Sequence, residues 1–327
     1  MKAIQIFEHG SADQLTVTEL VTPKLKEGEV LIKVEAISIN HFDILSRKGI
    51  YPKMQLPRTL GMDCAGVVIS STDLQGRWKG GERVLVLGET LGLGGPGAYS
   101  EYVNVPANEV FSIPDFLSME EAASIGISCL TALYVTKYKL SDMKGRSVLI
   151  PGISGGVASS LLQFCKLFGA KTIVTSRSES HCVSAIGMGA NYAIKSNDPN
   201  ALKQIQEQTD GKGVDIVLNA VGGPSIPFSI QSLVQKGGQL YLIGTCAGKD
   251  VELNLFQILI KEINLIGCNF GSLLPEERGN IYQEFLEYLR QNQFHIQIDR
   301  IFPLTEAKEA HQYIESGGHS GKVILKP

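Results

Sequence analysis

Residues Ser147–Ser178, SVLIPGISGGVASSLLQFCKLFGAKTIVTSRS, read as a strand, a glycine turn, a helix and a second strand. The apolar run SVLIP leads into Gly152, Gly155 and Gly156, and the helical stretch that follows ends on a second apolar run, KTIVTS. That order opens a dinucleotide-binding βαβ unit. A pyrophosphate must approach backbone N–H groups at the helix N-terminus, where the helix dipole favours an anion, and glycine removes the side chain that would block it. Ala158 stands at the last small position of the motif, where glycine is usual. That position only has to let helix and strand pack closely, and alanine does so. A tight strand–helix turn with no ligand is the alternative. The strand before, the helix after and the spacing to the second strand favour the cofactor loop.

The end of the second strand, TSRSESH, bears on which dinucleotide. An NAD site carries Asp or Glu there for the ribose 2′-hydroxyl. Here Ser176 and Arg177 follow Thr175, with His181 one turn further on. An arginine and hydroxyls suit a 2′-phosphate, so NADP(H) is the expected cofactor; in the alternative Arg177 only faces water.

The chain has 327 residues, enough for two domains of about 100–200 residues each. Thirty Lys and Arg against 33 Asp and Glu leave a net charge of −3, so nothing suggests a nucleic-acid footprint. Six scattered cysteines without a CxxC pair read as reduced, mostly buried thiols. No apolar run approaches the ~18 residues of a membrane span, and the start MKAIQIFEHG lacks a signal-peptide core. A soluble, cytoplasmic protein is expected.

The first 110 residues are β-rich: MKAIQIF, EVLIKVEAISIN, AGVVIS, ERVLVL and AYSEYVNVP are strands between Gly, Pro and Asp turns. From Ser118, LSMEEAASIGISCLTALYVTKYKL reads as helical, with Ser118 as cap and Glu120 and Glu121 in the first turn. Beyond Ser147, continuous apolar strands (NYAI, VDIVLNAV, GQLYLIG, INLIGCNF) alternate with helices, which predicts a parallel sheet covered on both faces. The fold class is α/β, a β-rich domain joined to a doubly wound one.

Several stretches carry a family resemblance: AISINHFDILSRKGIYP, LPRTLGMDCAGVV, GAYSEYVNVPANEVFSIPDFLSMEEAA, the glycine-turn segment and the closing IDRIFPLTEAKEAHQYIESGGHSGKVILKP. Together they resemble the medium-chain dehydrogenase/reductase superfamily, within it the zinc-free quinone oxidoreductase and enoyl reductase branches. The resemblance implies a GroES-like catalytic domain, residues 1–117 and 271–327, interrupted by a Rossmann NADP-binding domain, residues 118–270. It also implies a homodimer joined edge to edge through the Rossmann sheets, an edge to which VELNLFQILIKEINLIGCNF is apolar enough to contribute.

In the metal-dependent alcohol dehydrogenases of that family the catalytic zinc ligands are Cys, His and Cys. The matching positions are Asn40, Met62 and Ile127, an amide, a thioether and an alkyl chain, so no metal is expected. Without a Lewis acid, a conjugated acceptor is the easier substrate: hydride adds to the far carbon of an enone, enoyl thioester or quinone. The small-molecule substrate is therefore expected to be a quinone or an enone/enoyl compound. A non-catalytic NADPH-binding protein is the competing reading, and a zinc alcohol dehydrogenase a weaker one.

By the resemblance, Tyr51 is the cleft tyrosine, a proton donor or a wall-filling aromatic, and Asn40 faces the nicotinamide ribose or substrate. Thr131 would touch the nicotinamide, Ser154, Gly155, Gly156 and Val157 the pyrophosphate, and Tyr192 the adenosine side. Asn219, Val221, Gly244 and Thr245 lie at the ends of later strands, where open α/β sheets bind ligands. Lys322 would reach the cofactor or stand in solvent. Asp43 and Arg47 share a helix face and are expected to pair, and Asp63 is expected to hold backbone.

Overall fold

A computed structural model describes residues 1–50, 55–140 and 142–327. The chain separates into two compact units: Met1–Leu130 with Gly271–Leu286 and Ile296–Pro327, and Thr131–Phe270 with Glu287–His295.

The second unit is built on six parallel strands, Ser147–Pro151, Lys171–Ser176, Tyr192–Lys195, Ile216–Asn219, Gln239–Leu242 and Asn264–Gly267. Counted in chain order they lie 3-2-1-4-5-6, the doubly wound order in which ligands bind outside the carboxyl ends where the order reverses. Val148, Leu149, Ile150, Val217 and Leu218 are wholly buried, which is why the inner strands read as unbroken apolar runs. At the two edges of the sheet burial falls away: Asn264–Gly267 is largely exposed, and Tyr192–Lys195 buries Ile194 but exposes Tyr192 and Lys195.

The first unit carries a seven-stranded sheet. Its main path runs Ile298–Pro303, Lys322–Lys326, Glu29–Ser38, Asp63–Ser71, Arg83–Val86 and Val110–Ser112, with Tyr102–Pro106 pairing to Glu29–Ser38. A three-stranded sheet of Thr16–Glu19, Lys2–Ile6 and Arg58–Thr59 accompanies it. Along Glu29–Ser38 alternate residues Val30, Ile32, Val34 and Ala36 are buried, the period-two pattern of a half-covered strand. Val30, Ile32 and Val34 enter one core with Ile4, Ile6, Leu60, Tyr99, Val105 and Leu325. The C-terminal tail joins this sheet: Ile324 pairs with Ser38 and Leu325 with Ile37.

The unit boundaries differ from those read in the sequence. Helix Met119–Ser124 begins as expected, with Ser118 Oγ accepting from Glu121 N at 3.1 Å and Glu121 Oε2 accepting from Ser118 N at 2.8 Å. It packs on strands Glu29–Ser38 and Asp63–Ser71, so the chain leaves the first unit only at Leu130. At the other end, the rings of Tyr288 and Phe294 lie 5.5 and 4.8 Å from Phe164, which ties residues 287–295 to the second unit.

No disulfide joins any of the six cysteines; five are buried and Cys246 is half-buried. Among the described residues no helix is long and apolar enough to cross a membrane.

Candidate functional site

The glycine turn of the second unit contains two glycines with different physical reasons. Gly152 has φ +70°, and a Cβ there would sit 2.6 Å from Val221 Cγ2, so the backbone itself demands glycine. Gly155 has an ordinary extended conformation, φ −80° and ψ 158°, and a Cβ there would meet nothing within 4 Å. The fold leaves this position open. It precedes helix Gly156–Leu167 with no side-chain cap, so the first-turn N–H groups of Gly156 and Val157 have no intrahelical partner. A bare helix N-terminus behind a vacant Cβ position fits a diphosphate. Half-buried Ser154 flanks it.

Two later turns close on this one. Gly222, at φ +72°, brings the backbone after strand Ile216–Asn219 so near Thr245 that a Cβ would be 2.6 Å from Thr245 Cα. Ala247 N donates to Val221 O at 2.8 Å. Val221, Gly244 and Thr245 therefore gather at the carboxyl ends of their strands, as the sequence predicts. Asn219 does not join them. Its Oδ1 accepts from Val221 N and Gly222 N at 2.9 and 2.8 Å, and its Nδ2 donates to Ser225 and Ser229 Oγ at 2.8 and 2.9 Å. This wholly buried amide is used up in shaping the turn, which corrects its assignment as a cofactor contact. Thr131 is buried on the segment Thr131–Leu133, which packs against helix Gly156–Leu167.

At the end of the second strand Arg177 is exposed, while Ser176 and His181 are buried and face each other, Oγ to Nδ1 3.4 Å. His181 is thus turned inward, not toward a ligand. Tyr192 is also corrected. The register pairs it with Ile173 and pairs Lys195 with Ser176, so Tyr192 heads its strand about 10 Å short of the carboxyl end. Lys195 stands opposite Ser176, the residue before Arg177, a placement set by strand register and therefore invisible along one chain. Its Nζ lies 3.8 Å from Glu179 Oε2 on the exposed surface.

The first unit holds a buried polar cluster around Asn40, which caps helix His41–Arg47. Asp43 Oδ2 accepts from Asn40 N at 2.8 Å and Oδ1 from Gly61 N at 3.1 Å. The Asn40 amide lies between a cation and an anion: Oδ1 accepts from Lys322 Nζ at 2.7 Å, and Nδ2 donates to Asp63 Oδ2 at 2.9 Å. Lys322 Nζ also donates to Ile39 O at 3.0 Å, and Asp63 accepts from Ile127 N at 3.2 Å. Lys322 is therefore neither solvated nor surface-facing. Arg47 is wholly buried and pairs with Glu315 at 2.8 Å, not with Asp43 as expected, because Asp43 turns back onto its own helix start. Tyr51 lies outside the described residues.

A local distortion makes the Ile127 contact. Residues Ile125–Leu130 form a wide π-helical turn, which releases N–H groups from the α pattern. The helix must also approach closely here, since a Cβ on Gly126 would be 2.3 Å from Asp63 Oδ1. Burial pushes the Asp43 carboxyl up to about 7, against the bond from Asn40 N, with the Asp63 charge adding to the rise. Burial likewise raises Asp63 and lowers Lys322, each opposed by the other's charge. Among the described residues no three His, Cys, Asp or Glu side chains are grouped to hold a metal.

The known proteins agree with this architecture. Residues 26–115 match the alcohol dehydrogenase GroES-like domain, and residues 156–290 the zinc-binding dehydrogenase model. The quinone oxidoreductase of Rattus norvegicus is 30% identical over 332 residues, 99% of this chain and 97% of that protein. The chain belongs to the medium-chain dehydrogenase/reductase superfamily, on its quinone oxidoreductase branch. A zinc-type alcohol dehydrogenase-like protein of Schizosaccharomyces pombe is 32% identical, over 96% of this chain and 95% of that one. Escherichia coli quinone oxidoreductase complexed with NADPH superposes with a TM-score of 0.93 at 26% identity, covering both chains fully. Asn40 and Ile127, two of the three positions that the resemblance matches to catalytic zinc ligands, both bond to the carboxylate of Asp63.

Proposed function

We propose that the protein is an NADPH-dependent, zinc-independent reductase that passes hydride to a quinone or an α,β-unsaturated carbonyl compound. The observation that carries this reading is the chemistry of the Asp63 cluster. Amide, thioether and alkyl side chains at positions 40, 62 and 127 are a poor donor set for zinc, which favours thiolate and imidazole. An ammonium, that of Lys322, is already bonded to Asn40. Oxidation of an unactivated alcohol needs its oxygen polarised and deprotonated, commonly by a metal. A conjugated acceptor needs only alignment, hydrogen bonds and a proton for the enolate or hydroquinone anion.

The cofactor reading rests on three features. The open position at Gly155 and the first-turn N–H groups suit a diphosphate, Arg177 and Lys195 suit a 2′-phosphate, and the Escherichia coli relative is described with NADPH. NADPH, when bound, supplies the hydride. Gly156 and Val157 N–H would hold its diphosphate and Arg177 and Lys195 its 2′-phosphate, and Tyr51, by its match to the family's cleft tyrosine, would donate from its phenol to the acceptor oxygen. Arg177→Ala is expected to weaken NADPH about 10–100-fold and leave NADH nearly unchanged, the loss of a charge-assisted phosphate bond. Lys195→Ala should follow with a smaller loss of the same selectivity. Fluorescence titration with both cofactors checks this, and an equal loss for NADH would remove the 2′-phosphate assignment.

The reading includes a homodimer. Helix Leu255–Ile260 has no buried residue, and Leu255, Phe256 and Leu259 are 73, 66 and 72% exposed beside the edge strand Asn264–Gly267. An apolar patch at an unpaired sheet edge favours pairing with a second copy. Light scattering should give twice the chain mass, and Phe256→Glu should shift it toward monomer. A monomeric wild-type protein would overturn this part.

The function itself is tested by NADPH and NADH oxidation against a benzoquinone, an ortho-quinone, a simple enone and a crotonyl thioester, using protein stripped of metal. Preferential NADPH consumption with any of them supports the reductase. Tight NADPH binding with no turnover would favour a binding protein, and activity only with added zinc would overturn the zinc-independent reading.

A further inference from the structure

We propose that Lys322 is a positioning residue whose ammonium locks the amide of Asn40 into one orientation and holds the site's buried positive charge. The inference rests on the reductase reading only for its activity arm. Its geometry is independent of that reading. Asn40 can be placed with either amide atom on either side, and an unlocked amide exchanges donor for acceptor by a half-turn. Here the two sides are chemically opposite. A cation that can only donate faces one side, with Nζ 2.7 Å from Oδ1. A carboxylate that can only accept faces the other, with Oδ2 2.9 Å from Nδ2. Flipping the amide would set Nδ2 against the ammonium and Oδ1 against the carboxylate, breaking both bonds in a place where Asn40, Asp63 and Lys322 are 6, 3 and 5% exposed.

The lysine is itself fixed by the sheet. It opens strand Lys322–Lys326, and Ile39 N donates to Val323 O at 3.0 Å, so its ammonium is delivered to Ile39 O as well as to Asn40. The other charges facing the cluster are the carboxylates of Asp63 and Asp43. One ammonium between two carboxylates gives the cation a second role that must be separated from the first, namely charge balance in a buried site.

A charge-compensated pair of variants separates them. Lys322→Met alone leaves both carboxylates without their cation and should lower the thermal midpoint by about 10 °C or more. Lys322→Met with Asp63→Asn removes one charge of each sign and should recover most of that midpoint. Asp63→Asn alone is the reference, because it changes the acceptor of Asn40 Nδ2 but keeps Lys322. If Lys322 positions Asn40, the Asn40 side-chain NH2 protons of the double variant, identified by their loss in Asn40→Ala, should exchange about tenfold faster than in Asp63→Asn by NMR. Its kcat for the best acceptor of the panel should stand about tenfold below that of Asp63→Asn. Exchange and kcat equal to those of Asp63→Asn would make Lys322 a charge balancer only and overturn the proposal. Should the wild type reduce none of the acceptors, the exchange rates still decide the positioning role, and the failure belongs to the reductase reading.

Discussion

Asp63→Ala is expected to destabilise the protein by about 3–5 kcal/mol and to abolish measurable acceptor reduction. One carboxylate there holds three separate parts of the first unit. It accepts from the Asn40 side chain, from Ile127 N on the π-helical turn, and it balances Lys322. Alanine takes the carboxylate acceptor from Asn40 Nδ2 and Ile127 N and the counter-charge from the buried Lys322 ammonium, and buried donors and charges that lose a partner cost more than a made bond contributes. Asp63→Asn should be milder, because an amide oxygen can still accept from Ile127 N. Urea unfolding of the three proteins measures the difference, and a loss under about 1 kcal/mol for the alanine variant would mean that the cluster carries no such weight.

The acid limb of the stability profile is expected to depend on His311. This wholly buried imidazole bonds through Nε2 to Tyr99 Oη at 2.8 Å, and burial, with the Arg47 charge and His41 nearby, lowers it from 6.5 to about 3. Between those values the unfolded chain binds a proton that the folded protein refuses. Its contribution is therefore complete above about 6.5 and is lost as pH falls toward 3, at about 1.4 kcal/mol per pH unit. Asp43 works in the opposite direction: its carboxyl, raised from 3.8 to about 7, favours the folded state at lower pH. The net slope is thus a sum, and a variant isolates the histidine. His311→Gln keeps a partner for Tyr99 and does not titrate, so its stability should fall less steeply than the wild type's from pH 6.5 downward. Parallel profiles for the two proteins would show that His311 gains its proton without unfolding.

The two predictions concern residues that the sequence treated very differently. Asp63 lies in LPRTLGMDCAGVV, one of the stretches that carry the family resemblance, and its role as a backbone holder was expected there. His311 is one polar residue in the helix Ala307–Glu315, and only its packing against Tyr99 shows that it is buried. The same contrast runs through the candidate site. Gly152, Gly155 and Gly156 were legible because a glycine turn between a strand and a helix is a local pattern, made by residues adjacent in the chain. The place of Arg177 just past the second strand was readable for the same reason. Tyr192 was assigned to a ligand and Lys195 overlooked because which residue of a strand reaches the carboxyl edge depends on its register against a neighbour. Asn219 was assigned to a ligand because its position at a strand end is local, whereas the serines that use up its amide lie on the next helix.

What the chain determined by itself was everything governed by short-range periodicity: the parallel αβ alternation, the cofactor loop and the β-rich first part. Only the tertiary structure decided how the polar residues are spent. Asn40 and Lys322 are 282 positions apart and bonded at 2.7 Å, Arg47 pairs with Glu315 instead of Asp43, and Ile127 donates to Asp63 because a helix widens beside it. A buried donor or acceptor must find a partner wherever the fold offers one, and that choice is made by packing across the sheet, not by neighbours along the chain.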